Sequence, residues 1–128
     1  MNKKTVNILG VDFINKHFDG MVDIISRKIV EEQKTFIVTA NPEIVMHAYK
    51  DKEYYNIINK ADYVVPDGYG IILASKILKN PLEERVTGYD LTISLLEKAN
   101  RQGWSIYLLG GQEEVNALAT KNITEKYP

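Results

Sequence analysis

Three short polar segments carry the residues whose types could do chemistry. They are Thr39-Ala40-Asn41-Pro42-Glu43, Pro66-Asp67-Gly68-Tyr69-Gly70 and Gly110-Gly111-Gln112. Each follows a run of apolar residues and leads into a stretch with helical spacing. The backbone N–H groups that open a helix are unpaired and, together with the helix dipole, favour a bound anion. The segments therefore predict a site for an anionic ligand.

Each candidate residue also has a purely structural interpretation. Asn41 and Asp67 are both of types that cap helices, and Gly110-Gly111 is common turn chemistry. Arg85 could add a cation to the site or be an ordinary surface arginine. The functional interpretation is favoured because all three segments are expected to face one crevice.

The elements that must position these segments alternate between strand and helix. We expect four strands, over residues 5–13 (interrupted at Gly10), 35–39, 63–65 and 104–109. We expect helices over 19–33, with Asp19 as the cap, and over 53–60, 70–78 and 90–102, the last ending at Gly103. Two further helices are expected to begin at Asn41-Pro42 and at Gln112. This order predicts a Rossmann-like α/β fold, a mainly parallel sheet flanked by helices. Ligands of such sheets bind beyond the carboxyl ends of the strands, where the three segments fall. No strand follows the last helix, so we expect the fold to be truncated at its C-terminus.

Composition narrows the class of protein. A chain of 128 residues fits one domain, residues 1–128, and its net charge of −1 gives no basic field to attract nucleic acid. The absence of cysteine excludes disulfides, thiolate zinc sites and a cysteine nucleophile. No apolar run approaches the roughly 18 residues of a membrane span, so any work at a membrane is expected from its surface.

Other site types do not fit the sequence. Gly68-Tyr69-Gly70-Ile71-Ile72-Leu73 has the first two glycines of a dinucleotide fingerprint but leucine at the third position. There is no phosphate-binding Gly-Lys-Ser/Thr loop. His17 and His47 stand alone, without a paired ligand at metal spacing.

The motifs together resemble the WecG/TagA/CpsF glycosyltransferase family. The residues that carry the resemblance are Thr39-Ala40-Asn41-Pro42-Glu43, Ala61-Asp62, Pro66-Asp67-Gly68-Tyr69-Gly70, Arg85-Val86-Thr87-Gly88-Tyr89-Asp90 and Leu108-Leu109-Gly110-Gly111. They span nearly the whole chain in order. Members of the family are longer, and a C-terminal part with further nucleotide contacts and a membrane-associating appendage has no counterpart here.

The resemblance implies a reaction of teichoic acid biosynthesis. UDP-N-acetylmannosamine would donate its sugar to N-acetylglucosamine on undecaprenyl diphosphate, forming a β1,4 linkage with inversion and without a cofactor. Asp67 matches the position of the proposed base, Thr39 and Asn41 match pocket positions, and Arg85 matches a basic position that could hold a diphosphate.

Three further site residues follow from the same resemblance. Gly110 and Gly111 would let the backbone approach the nucleotide closely. Asp90 would be either a helix cap or a sugar contact. The lack of an Asp-x-Asp triplet indicates a metal-independent site.

The resemblance also implies where the protein works. It is expected to be cytoplasmic and peripheral at the inner face of the cell membrane. Separately, a sheet truncated at its C-terminus would leave apolar surface uncovered, so self-association into homo-oligomers stays open. Two alternatives stay open: a non-enzymatic nucleotide-binding module, and a scaffold for other wall-polymer enzymes. The uronic acid of N-acetylmannosamine also stays open as the donor sugar.

Overall fold

The computed structural model describes residues 4–128, which group into two compact units that divide between Leu91 and Thr92. The single domain expected over residues 1–128 stays a prediction.

A β-hairpin opens the first unit. Strand β1 (Thr5–Ile8) pairs antiparallel with β2 (Val11–Ile14). The turn residues Leu9 and Gly10 both have positive φ, +49° and +92°, as tight hairpin turns require. The single interrupted strand expected over residues 5–13 is therefore wrong, because the chain reverses direction where only an interruption was predicted.

A parallel pair of strands follows. Strand β3 (Ile37–Ala40) runs parallel to β4 (Tyr63–Pro66), and helices α2 (Pro42–Lys50) and α3 (Lys52–Asn59) connect them. A strand–helix–parallel strand unit confirms the α/β class. The sheet is less extensive than expected, since the strands of the described residues form two separate pairs, one antiparallel and one parallel.

Helix α1 (Phe18–Val30) differs from its prediction at both ends. His17, not Asp19, occupies the N-cap, and Asp19 lies in the first turn, where its charge complements the helix dipole. The helix ends at Val30 because Glu32 adopts a left-handed φ of +56° and the Gln33 N–H bonds back to the Lys28 carbonyl at 2.9 Å. No glycine marks this end, so the residue types there do not predict it.

Helix α4 (Tyr69–Ile77) is apolar on two faces. Ile71 and Ile72 are buried, whereas Tyr69, Leu73 and Ile77 are exposed on the opposite side. The inner face joins the core of the first unit, which also contains Val6, Ile8, Val11, Phe13, Ala40, Val45, Ala48, Ile58, Val64 and Leu82.

The second unit contains most of α5 (Gly88–Gln102), whose first turn belongs to the first unit, and α6 (Glu113–Lys126). Gly103 has φ +74° and donates to the Ala99 carbonyl at 2.8 Å, which confirms it as the glycine that ends α5. The strand expected over 104–109 is wrong: within residues 4–128 this run pairs with no strand, and a strand requires a hydrogen-bonded neighbour. Within residues 4–128, every helix is too short or too polar to cross a membrane.

Candidate active site

The carboxyl ends of β3 and β4 bring two of the predicted segments together. The register places Ala40 opposite Pro66, and the Asp67 N–H then donates to the Ala40 carbonyl at 3.0 Å. The pairing therefore continues one residue beyond β4. Thr39, Asn41 and Asp67 lie at the same edge of this sheet, as the sequence predicted.

Asn41 is a helix cap, as its structural interpretation proposed. Its Oδ1 accepts the Ile44 N–H at 2.9 Å, and Pro42 follows as the first residue of α2. The amide nitrogen of Asn41 makes no hydrogen bond within residues 4–128. Capping therefore uses the acceptor of the side chain and leaves its two donors available to a ligand.

The starts of α2 and α4 pack closely against each other. A Cβ on Gly70 would lie 2.8 Å from Pro42 Cγ, a distance that real side chains do not tolerate. Gly68, the N-cap of α4, has φ +108°, which favours glycine for conformational reasons. The unpaired N–H groups of two helices thus open near the end of β4.

Asp67 caps a different helix from the one expected. Among residues 4–128, no side chain caps α4; instead Asp67 Oδ2 accepts the N–H of Gly88, the first residue of α5, at 3.1 Å. Oδ1 makes no hydrogen bond within the described residues. The carboxylate therefore has one oxygen anchored and one able to accept a proton.

The segment that contains Arg85 reaches this edge through its backbone. Val86 donates to the Pro66 carbonyl at 2.8 Å. A Cβ on Gly88 would lie 2.9 Å from Thr39 Oγ1, so α5 begins against β3 as well as β4. Three helices therefore start around Asp67.

Arg85 and Asp90 are both exposed. The Arg85 guanidinium has no ion pair or hydrogen bond within residues 4–128, so it is available to an anion. Asp90 is not the helix cap, because α5 begins two residues earlier and Thr87 Oγ1 accepts the Asp90 N–H at 3.1 Å. A sugar contact by Asp90 stays a prediction.

Thr87 and Gly88 are the site residues that sequence reasoning missed. A signal was present, because Thr-x-x-Asp ahead of an apolar helical pattern is an N-cap signature that places the helix start at Gly88. Because α5 begins at Gly88 rather than at Asp90, the Gly88 N–H is a helix N-terminal donor beside Asp67 and not part of a loop.

Gly110 and Gly111 form the expected tight turn, in the second unit. Their φ values are +107° and +75°, and no atom of the described part of the chain lies within 4 Å of the position of an added Cβ at either residue. Asn116 of α6 holds the turn by donating to the carbonyls of Leu108 and Gly110 at 3.2 and 3.0 Å. Backbone conformation alone favours these glycines, and their contact with a nucleotide stays a prediction.

An ionic cluster fixes the chain just before Arg85. His17 Nε2 lies 2.9 Å from Glu83 and Nδ1 lies 3.1 Å from Glu84. The hydrogen bond to Glu84 and the charge of Glu83 raise the pKa of His17. The cluster thus ties the start of α1 to the segment that supplies Arg85 and Gly88.

Two further observations concern other kinds of site. Within residues 4–128, no three His, Asp or Glu side chains are grouped so that they could hold a metal ion. A cavity of about 190 Å³ lies beside the hairpin, lined among others by Tyr55 and Tyr63, at the start of β4 rather than at the Asp67 end. It holds none of the predicted site residues.

Comparison of the sequence with known proteins identifies the family to which the chain belongs. Residues 6–128 match the profile of the "Glycosyl transferase WecG/TagA/CpsF family", and the chain belongs to it. A relative from Staphylococcus aureus (strain MRSA252) is 40% identical over 129 residues, which cover 99% of this chain and 51% of the relative. One from Bacillus spizizenii is 33% identical, covering 100% of this chain and 49% of the relative. Both are named N-acetylglucosaminyldiphosphoundecaprenol N-acetyl-beta-D-mannosaminyltransferase. The chain spans about half the length of these relatives.

Proposed function

We propose that the protein is a glycosyltransferase that moves N-acetylmannosamine from UDP-N-acetylmannosamine to N-acetylglucosamine on undecaprenyl diphosphate. The names of the relatives support the acceptor and the transferred sugar. The observation that carries the proposal is the Asp67 carboxylate, which has one anchored and one available oxygen at the point where three helices begin.

The chemistry proposed is a single displacement with inversion and a β1,4 linkage. An acceptor hydroxyl oxygen attacks the anomeric carbon of the donor while the bond from that carbon to the UDP oxygen breaks. The proton of the hydroxyl passes to Asp67 Oδ1, and UDP leaves with the electron pair of the broken bond. General base catalysis of this kind typically contributes about 10² to 10⁴-fold.

The departing diphosphate needs positive potential that is in place before the reaction. The first turn of α4 supplies unpaired N–H groups, α2 supplies the N–H of Glu43, and both helices present the positive ends of their dipoles. Arg85 supplies an exposed cation, and its guanidinium matches phosphate geometry. We propose that these groups replace the divalent metal that many sugar-nucleotide transferases use.

The donor sugar would lie against Thr39 and Asn41. The Thr39 hydroxyl and the Asn41 amide make no other hydrogen bond through these atoms within the described residues. A hydroxyl and a primary amide can together donate to and accept from sugar hydroxyls and an acetamido group. The backbone at Gly110 and Gly111 would contact the nucleotide.

The proposal extends to the whole protein and its setting. We propose a Rossmann-like parallel sheet in the complete fold, with action as a cytoplasmic protein at the inner face of the membrane, because the acceptor is a lipid. Self-association is proposed through apolar surface such as the outer face of α4, where Tyr69, Leu73 and Ile77 are exposed.

The test is turnover by the complete protein with a lipid diphosphate-linked N-acetylglucosamine acceptor, with product identified by mass spectrometry. We expect one N-acetylmannosamine to be added, and less product from the UDP-linked uronic acid. Activity should persist in excess EDTA; a loss that magnesium or manganese restores would contradict the metal-independent site. Binding of UDP without transfer would indicate a nucleotide-binding module, and no UDP binding would indicate a scaffold.

A further inference from the structure

We propose that Gly88 is a positioning residue for the transfer reaction, acting through Asp67; this inference rests on the function proposed above. The Gly88 N–H donates to Asp67 Oδ2 at 3.1 Å. A carboxylate anchored by one oxygen cannot turn freely about its side-chain bonds. The anchored geometry keeps the second oxygen, Oδ1, aimed at one place, where the acceptor hydroxyl would lose its proton.

The Gly88 donor is itself fixed on both sides. Before it, the Val86 N–H bonds to the carbonyl of Pro66 at 2.8 Å, on the last residue of β4. Beside it, Thr87 Oγ1 accepts the Asp90 N–H at 3.1 Å and so caps α5. The Val86 bond thus joins the chain just before Gly88 to the end of β4, and the Thr87 cap fixes the turn of α5 that carries the Gly88 N–H.

Glycine is required at position 88 for steric rather than conformational reasons. Gly88 is not among the residues with positive φ, so its backbone is open to any residue type. A Cβ there would lie 2.9 Å from Thr39 Oγ1 and 3.2 Å from Thr39 Cγ2. An added methyl group must push the start of α5 away from β3 or displace the Thr39 side chain, and the first of these movements would carry the N–H away from Asp67.

The first experiment is a double-mutant cycle in the complete protein. Gly88→Ala should lower kcat by about 10²-fold, the typical cost of a displacement near 1 Å, with little change in the donor KM. Thr39→Ala removes both of the atoms closest to the added methyl group, so Gly88→Ala should cost much less in that background. Gly20→Ala is the matched control, because a Cβ on that helical glycine would meet only Lys16 Cδ, at 3.6 Å. It should leave kcat unchanged.

The second experiment tests the hydrogen bond between Gly88 and Asp67 by NMR, independently of catalysis. The amide proton of Gly88, assigned by NMR, should shift in Asp67→Ala because its carboxylate acceptor is gone, while the Gly20 amide should not move. Thermal unfolding of every variant separates a displaced base from a protein that no longer folds.

The outcomes separate this inference from the function it rests on. Wild-type kcat in Gly88→Ala, or an equal cost of that change in the Thr39→Ala background, would overturn the positioning role. An unchanged chemical shift of the Gly88 amide proton in Asp67→Ala would also overturn it. If the wild-type protein transferred no sugar, the proposed function and the catalytic part of this inference would both be overturned. The amide shift would still test the hydrogen bond between Gly88 and Asp67 separately.

Discussion

Ser75 and Leu82 are joined by a buried hydrogen bond that fixes the start of the segment leading to the site. The Leu82 N–H donates to Ser75 Oγ at 3.0 Å, and the same hydroxyl donates to the Ile72 carbonyl at 2.6 Å. Ser75 is fully buried and Leu82 nearly so. A side chain of α4 thereby anchors the chain six residues before Gly88.

Ser75→Ala should destabilise the protein by about 1–3 kcal/mol, because it leaves the buried Leu82 N–H without an acceptor. Ser26→Ala is a matched control in α1: the Ser26 hydroxyl donates to the Val22 carbonyl at 2.7 Å and accepts no backbone N–H. Chemical denaturation of both variants measures the difference. Equal losses of unfolding free energy would contradict the special role of Ser75.

Asn41 is expected to have two separable roles, as a cap and as a donor to the sugar. Asn41→Ser keeps an acceptor for the Ile44 N–H but removes the amide nitrogen. It should therefore preserve most of the stability while weakening UDP-sugar binding by about tenfold, the cost of one or two lost hydrogen bonds. Calorimetric titration with the donor tests the second effect.

Asp51 provides the control for the capping role of Asn41. It caps α3 in the same way, accepting the Tyr54 N–H at 3.1 Å, but lies at the far end of α2. Asp51→Ala and Asn41→Ala should each cost about 0.5–2 kcal/mol of stability. Only Asn41→Ala should also weaken donor binding; a similar loss of affinity in Asp51→Ala would assign both effects to stability.

His17 should make stability depend on pH. Its pKa is raised in the folded protein by the hydrogen bond to Glu84 and the charge of Glu83. The stabilisation is therefore fully present below the ordinary histidine pKa of about 6.5 and is lost as pH rises through the raised value. The difference in Tm between wild type and His17→Gln should shrink from about pH 5.5 to about pH 8.

Glu84→Gln should reduce the same pH dependence, since it removes the carboxylate that accepts the His17 hydrogen bond. Glu31→Gln, at the other end of α1, should keep the wild-type pH dependence. A Tm difference for His17→Gln that stays constant or grows with pH would contradict the assignment.

Local signals in the sequence predicted the elements that depend on local chemistry. Asn41-Pro42 identified the start of α2, and Gly103 identified the end of α5, because caps are formed by neighbouring residues. The end of α1 was missed because Glu32 adopts the left-handed conformation usually left to glycine. The strand over 104–109 was wrong because an apolar run does not specify a pairing partner.

The part of the candidate site that lies at strand ends was predicted from the sequence. The part that depends on a hydrogen bond between residues far apart in the chain was missed. Thr39, Asn41 and Asp67 lie at the carboxyl ends of two parallel strands, so topology alone brings them together. The contact of Asp67 with Gly88 joins residues 21 positions apart through a backbone N–H. The pattern of residue types does not predict which backbone N–H will meet a distant carboxylate, although the Thr87 cap signature indicates where α5 begins.

The central claim is that Asp67 is the base of a sugar transfer, and its most direct measurement is the transfer rate of Asp67→Asn in the complete protein. We use UDP-N-acetylmannosamine and a lipid diphosphate-linked acceptor, with Asp23→Asn, an exposed change on α1, as the control. The rate should fall by about 10² to 10⁴-fold in Asp67→Asn while UDP binding and Tm stay close to those of wild type. Asp23→Asn should transfer at the wild-type rate. A folded Asp67→Asn protein within about threefold of the wild-type rate, far less than a general base contributes, would contradict the account.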